Sequence, residues 1–284
     1  MTDAAKQTWM VTRAMQRRLA LHEDAYLDDL EKFRIKCTGL DIRTGKSTDG
    51  SEPFLRPFPV TQLTEIFEQT KPWLDCGLER ELERELVGSD MPFKASENPQ
   101  ADARGLNRCI SSFFLHSEES GIEPPMWRTG WRPRFMDYTK GERLGRYHAS
   151  SDVYFPDWVV THILDKMDEG KTPHVTCLLV DWDLLREDQL SNAEVWCILA
   201  VTYRRLRSRE YRKHQIIPVT IVSSAGSRLR VVQGYVDGRD QYLHVRKSPI
   251  IDFETFHLSK PEEAEKMNVV VALCVGEPGG HTGV

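Results

Sequence analysis

This 284-residue chain has almost none of the short motifs that announce a chemistry, and each absence closes a route. Its six cysteines, Cys37, Cys76, Cys109, Cys177, Cys197 and Cys274, are spread along the chain. No two form a C-x-x-C pair, so the usual zinc-finger and dithiol redox patterns are excluded. Cys177 and Cys197 lie in apolar runs and read as small core residues. His148, His162, His174, His214, His244 and His257 show no H-x-x-x-H or related ligand spacing. There is no Walker loop, no G-x-S-x-G elbow and no Rossmann glycine run. No apolar stretch nears the roughly 20 residues of a membrane span. The first residues include Asp3, Lys6 and Gln7 without an unbroken apolar segment, so no secretory signal is expected. A reducing compartment, cytosolic or nuclear, is the resulting expectation. Repeats, heptad arrays and low-complexity tracts are also missing.

What is present is an ordinary globular composition, with 40% hydrophobic and 29% charged residues. A chain of this length can bury one substantial core or two small ones. A net charge of −5 argues against wholesale coating of nucleic acid, but it hides local basic clusters.

The clearest pattern runs from His174 to Phe253. His174-Val-Thr-Cys-Leu-Leu-Val180 is an apolar run of strand length, rich in β-branched residues, as a strand buried on both faces requires. Ser191-Asn-Ala-Glu194 is a capping box, with a hydroxyl at the N-cap and a carboxylate three residues on. Val195, Trp196, Leu199, Tyr203 and Leu206 then share one face of a helix predicted over 192–212. Ile216 to Ser223 is a second apolar strand, with Pro218 marking its start or an edge. Residues 228–236 and 241–247 alternate in polarity around Val236-Asp-Gly238. They predict an antiparallel hairpin with one solvated face. Gly234, alone within a strand pattern, suggests a bulge.

Ile217-Pro-Val-Thr-Ile-Val-Ser223, Val232-Gln-Gly-Tyr-Val-Asp-Gly238 and Leu243-His-Val-Arg-Lys-Ser248, continuing to Asp252-Phe253, resemble a recurrent family of uncharacterised ascomycete fungal proteins. The likeness covers roughly the last third of the chain. It implies an intracellular fungal protein and carries no activity, so no site residue follows from it.

Before this stretch the pattern is more broken. Asp3 to about Lys36 predicts one long amphipathic helix, packed on the core or exchanged with a partner chain in a homo-oligomer. Thr38 to Pro59 reads as loop, and Thr61–Phe67 and Leu74–Val87 as helices. Gly88 to Gly105 reads as a mobile loop, and Ile110 to His116 as a buried strand or short helix. Met126 to His148 interleaves Trp127, Trp131, Phe135, Tyr138 and Tyr147 with arginines, a composition that either fills a core edge or stacks bases. Glu265 to Val275 is a last helix or an added strand. The expected organisation is an N-terminal helix (1–37), a helical and irregular region (38–150), a mixed α/β core (151–275) and a flexible tail (276–284).

Three constellations could carry chemistry. Asp181-Trp-Asp183 ends a buried strand, where hard oxygen ligands would suit Mg²⁺. This resembles the first motif of haloacid-dehalogenase-like phosphatases, but Leu184 and Leu185 stand where that family has Gly and Thr. Pro156-Asp157 followed by Glu169-Gly-Lys171 is similar to a PD-(D/E)xK nuclease pattern. There the predicted helix over Trp158–Lys166 argues against it, because the motif needs a hairpin. The third is basic. Arg205, Arg209 and Arg212 fall on one helical face, and Arg228, Arg230, Arg246 and Lys247 lie on the hairpin.

The sequence thus predicts a mixed α+β fold, a central mixed sheet with flanking helices that resembles a degenerate PD-(D/E)xK core. The leading functional expectation is a non-catalytic interaction protein that uses the basic set to bind an acidic protein or nucleic acid. The alternative is a Mg²⁺-dependent phosphoryl-transfer or phosphodiester-cleaving enzyme with Asp181, Asp183 and Asp157 as catalytic residues and Asp181 and Asp183 as metal ligands. No cofactor is expected on the first reading and Mg²⁺ on the second.

Overall fold

A computed structural model of the chain describes residues 1–22, 24–69, 99–112, 128–134, 144–147, 156–168, 172–253 and 261–283. In chain order its elements are α1 (Asp3–Leu19), β1 (Tyr26–Leu27), β2 (Ile35–Gly39), β3 (Leu55–Arg56), α2 (Val60–Gln69), α3 (Pro99–Ser112), β4 (Trp131–Arg134), β5 (Gly145–Tyr147), β6 (Pro156–Lys166), β7 (Val175–Asp181), β8 (Leu190–Ser191), α4 (Asn192–Arg207), β9 (Val219–Ala225), β10 (Arg228–Asp237), β11 (Tyr242–Lys247), β12 (Ile251–Asp252), α5 (Pro261–Cys274) and β13 (Glu277–Pro278).

A mixed nine-stranded sheet forms the centre, in the order β2-β11-β10-β9-β7-β6-β4, with β5 added to β6 and β12 to β10. β7 and β9 are parallel, joined by α4 as a crossover, and β11 and β2 are also parallel. The remaining pairs in this sheet are antiparallel. Every residue of β7 and β9 is buried, as the apolar runs require, because helices cover both faces. On one face α1 and α4 pack over Cys177, Leu179, Ile221, Val232 and Val245. On the other, Leu63 of α2, Leu106 and Ile110 of α3, and Met267, Val270 and Val271 of α5 pack over Leu178, Val222 and Val231. The fold is therefore mixed α+β, three layers deep.

α4 begins where the capping box places it. The Glu194 amide donates to Ser191 Oγ (3.2 Å), and the Ser191 amide donates to Glu194 Oε2 (2.9 Å). It stops at Arg207, five residues short of the predicted end, because Ser208 turns to extended backbone (ψ 140°). β9 starts immediately after Pro218, which cannot donate to a ladder.

Several expectations change. The N-terminal helix ends at Leu19, not near Lys36. The chain leaves it because Tyr26–Leu27 pairs with Leu190–Ser191 and the Asn192 amide donates to the Ala25 carbonyl (2.7 Å). Residues 35–39 then join the central sheet. Trp158 to Lys166 is part of β6, not a helix; Val159, Val160, Thr161 and Ile163 are β-branched, and β6 pairs with β7 along nearly its whole length. The β10–β11 hairpin has no fully solvated face, since β10 is buried from Leu229 to Gly234. Gly234 is no bulge; it pairs in register with Val219 and Val245. A Cβ there would meet Ile198 Cδ1 at 2.6 Å, so the glycine makes room for α4. Residues 99–105 are helical, not loop, and Ile110 lies on α3. Residues 265–274 are helical. Glu277–Pro278 pairs with β3, and the Gln215 amide donates to the Thr282 carbonyl (3.0 Å), which anchors residues 276–283. The predicted helix over 74–87, residues 113–116, Glu169 to Lys171 and much of the aromatic-basic stretch lie outside the described residues.

Candidate functional site

Asp181 closes β7 on the α4 face, level with the first turn of that helix. It is 1% exposed. Its Oδ1 accepts the Asp183 amide (3.3 Å), and its Oδ2 has no hydrogen-bond partner among the described residues. Burial pushes the carboxyl up to about 7; the Glu194 and Asp183 charges add to this, while the Ser191 hydroxyl and the Asp183 amide oppose it. Asp183 is exposed, so the two carboxylates do not form a chelating pair facing one cavity. Asp157 stands second in β6, one residue before Trp158, which pairs with Asp181; its side chain is outside the description. Among the described residues no three His, Cys, Asp or Glu side chains are close enough to hold a metal ion.

Beside Asp181 lies a buried ion pair that spacing alone did not reveal. Arg230 and Glu194 are both fully buried. Arg230 Nε donates to Glu194 Oε1 (2.7 Å), its Nη2 to Oε2 (2.5 Å), and its Nη1 to the Arg186 carbonyl (2.7 Å). Burial opposes the guanidinium charge, but Glu194's charge and hydrogen bonds together outweigh it and hold Arg230 above its ordinary pKa. Glu194 was legible as a capping carboxylate; nothing in the sequence tied it to a residue 36 positions away.

This corrects the predicted basic surface. Arg230 belongs to the core. Arg205 is 6% exposed, pairs with Asp165 of β6 and lies over the Tyr211 ring (4.4 Å). Arg246 is also 6% exposed. It lies over the Phe54 ring (4.2 Å) and donates to the Glu52 carbonyl and Ser51 Oγ, both at 2.7 Å. Lys247 is half-buried and donates to the Glu187 carbonyl. Arg228 is exposed and paired with Asp252 (3.3 Å). Arg209 and Arg212 remain exposed, but they follow the end of α4 and share no helical face with Arg205.

A different basic surface replaces the predicted one. α1 and α4 run antiparallel. Trp9 meets Tyr203 near one end, and Asn192 Nδ2 donates to the His22 and Asp24 carbonyls near the other. Residues 3–19 carry Lys6, Arg13, Arg17 and Arg18 against Asp3. Residues 203–213 carry Arg204, Arg205, Arg207, Arg209, Arg212 and Lys213 against Glu210. All of these cations except Arg205 are exposed. Arg13, Arg17, Arg207, Arg209, Arg212 and Lys213 form no ion pair among the described residues. The spacing of Lys6, Trp9, Arg13 and Arg17 along α1 was a readable signal for one helix face.

The fold and its surfaces thus define a class: a three-layer mixed α+β protein with internally held buried arginines and exposed cations along α1 and the end of α4. Comparison with family models, curated proteins and solved structures finds no match to the chain. The α1/α4 face and the β7 end are therefore judged on their own chemistry. No helix among the described residues is long and apolar enough to cross a membrane.

Proposed function

We propose that this chain is a non-catalytic interaction protein that binds an anionic partner through the outer face of α1 and the end of α4. One observation carries the reading: Arg13, Arg17, Arg207, Arg209, Arg212 and Lys213 are exposed and form no ion pair among the described residues, on two segments that meet at Trp9 and Tyr203 in a chain whose net charge is −5. Cations that form no ion pair among the described residues break none when redirected toward an external anion, and a local positive field raises the encounter rate even when net charge is negative. The test is retention on an immobilised polyanion at low salt, for wild type and for Arg209→Glu/Arg212→Glu/Lys213→Glu. Wild type is retained and elutes with salt, and the charge-reversed variant is not. Wild type in the flow-through at low salt overturns the reading.

A second reading, a Mg²⁺-dependent phosphoester-cleaving enzyme, is supported by one observation. The β6–β7 hairpin brings the start of one strand, at Asp157, beside the end of the next, at Asp181. That is the strand arrangement a PD-(D/E)xK pattern asks for, with Asp183 where the pattern has lysine. Weighing against it is the burial of Asp181 beside a guanidinium already neutralised by Glu194. Thermal unfolding with and without millimolar Mg²⁺ decides it. A rise in midpoint that Asp181→Asn abolishes supports the enzyme, because a ligand of the folded state must stabilise it. An unchanged midpoint removes that support.

A further inference from the structure

On the α1/α4 seam four side chains form a continuous ladder. The Arg13 guanidinium lies 5.5 Å from the centroid of the Trp9 ring. Trp9 stacks on Tyr203 with centroids 5.7 Å apart and planes inclined by 23°. Arg207 lies 5.6 Å from the Tyr203 ring. Both rings are half-buried, and both arginines are exposed. Ring contact is their only tie, since neither has a hydrogen bond or ion pair among the described residues.

From this ladder we infer that the anionic partner is a single-stranded nucleic acid. The inference rests on the anionic-partner reading above and narrows it. An acidic peptide needs cations and has no use for stacked rings at their centre. A nucleic acid strand needs both: phosphates for the cations, and planar faces on which unpaired bases lie. Because Arg13 and Arg207 are held by the rings alone, each can swing to a phosphate and leave an aromatic face for a base. Alternatively, its guanidinium plane serves as the stacking surface itself. A duplex keeps its base faces stacked on one another, so it can use only the charge.

The experiment uses the full chain and three fluorescent probes: an oligodeoxythymidine, a hairpin duplex of equal charge, and a poly-glutamate peptide. Binding is followed by anisotropy across a salt series. The single strand is expected to bind tightest. Tyr203→Leu is expected to weaken it by at least about fivefold, the low end for one stacked base, while leaving poly-glutamate binding unchanged. Arg13→Gln/Arg207→Gln, at two exposed positions, is expected to reduce the salt slope by about 1.4, or about 0.7 per phosphate contact on a single strand. Equal binding of all three probes, tighter binding of poly-glutamate or the duplex, or an unaffected Tyr203→Leu overturns the nucleic-acid inference and leaves the anionic-partner reading standing. Failure to bind any of the three probes overturns both.

Discussion

Asp181→Asn isolates the electrostatic cost of a buried carboxylate. The group's ordinary value is 3.8, and burial raises it to about 7 in the folded chain. Between these values the unfolded chain has released the proton and the native chain still holds it. The native state therefore binds more protons, and stability falls as pH rises through this window. Below 3.8 both states are protonated and the contribution is fully retained; above about 7 it is fully lost. At about 1.4 kcal/mol per unit, the loss is on the order of 4 kcal/mol for a fully buried group.

Asparagine cannot ionise, so the variant lacks this slope. It does place an amide donor where Oδ2 had no partner, a constant penalty of about 1–3 kcal/mol. His174 complicates the raw profile. Burial lowers it from 6.5 to about 4, so its contribution makes stability rise with pH between those values, against Asp181. Subtracting variant from wild type cancels His174, which is the same in both. The assay is urea unfolding at steps from about pH 4 to about pH 8, with the slope m held constant as a check that only stability changes. The difference should move in favour of the variant by several kcal/mol across the range. A difference flat to within about 1 kcal/mol, the value of less than one pKa unit, would refute the account of Asp181 as a carboxyl kept neutral by burial.

Two local predictions follow from packing. Ser191→Ala removes the N-cap acceptor of the Glu194 amide and should cost about 1 kcal/mol in the same unfolding assay. Gly234→Ala drives a Cβ into Ile198 Cδ1 at 2.6 Å and should cost about 1–3 kcal/mol. Adding Ile198→Val, which deletes that methyl, should recover part of the loss as a positive coupling in a double-mutant cycle.

What was legible in the sequence was local or doubly buried. The apolar runs over 174–181 and 216–223 mark real strands, found at Val175–Asp181 and Val219–Ala225, because a strand covered on both faces needs no alternation. The Ser191–Glu194 box read correctly because its bonds span three residues. β6 did not. Its pairing with β7 shifts register between Val160 and His162, which breaks the period-2 pattern and leaves Val159, Val160, Ile163 and Leu164 at spacings a helix would also show. The false extension of α1 has a similar cause. Leu27, Leu30 and Phe33 continue an apolar stripe, but Leu27 faces the core from β1, and Leu30 and Phe33 from a turn that reaches β2 through Arg34, whose φ is +56°. Arg34 is not a glycine, so nothing in the residue type marks the break. At the candidate site, Asp181 was legible as the end of a strand; its burial was not, because the helix that covers it arrives from downstream.

The arginines divide between core and surface by long-range contacts of the same kind. Type and spacing do not distinguish an arginine that ends on the surface from one that ends in the core. For Arg246 the difference is the Phe54 ring with the Glu52 carbonyl and the Ser51 hydroxyl; for Arg230 and Arg205 it is a buried carboxylate at long range, Glu194 and Asp165. Such pairs are poor sources of stability, since the cost of desolvating both ions cancels most of their attraction. Breaking one is another matter. Arg230→Met leaves Glu194 buried and charged with only the Ser191 amide as partner, and should cost about 3–5 kcal/mol. Arg230→Met/Glu194→Gln removes both charges, keeps an acceptor for that amide, and should return to within about 2 kcal/mol of wild type. If the double variant is as unstable as the single one, the pair contributes net stability and the argument fails. If it recovers, what the pair supplies is placement. It fixes the first turn of α4 over β10 and so sets where the far end of that helix, with Tyr203 and Arg207, meets α1. On that outcome, urea unfolding will leave the double variant near wild type while its binding to the oligodeoxythymidine probe weakens.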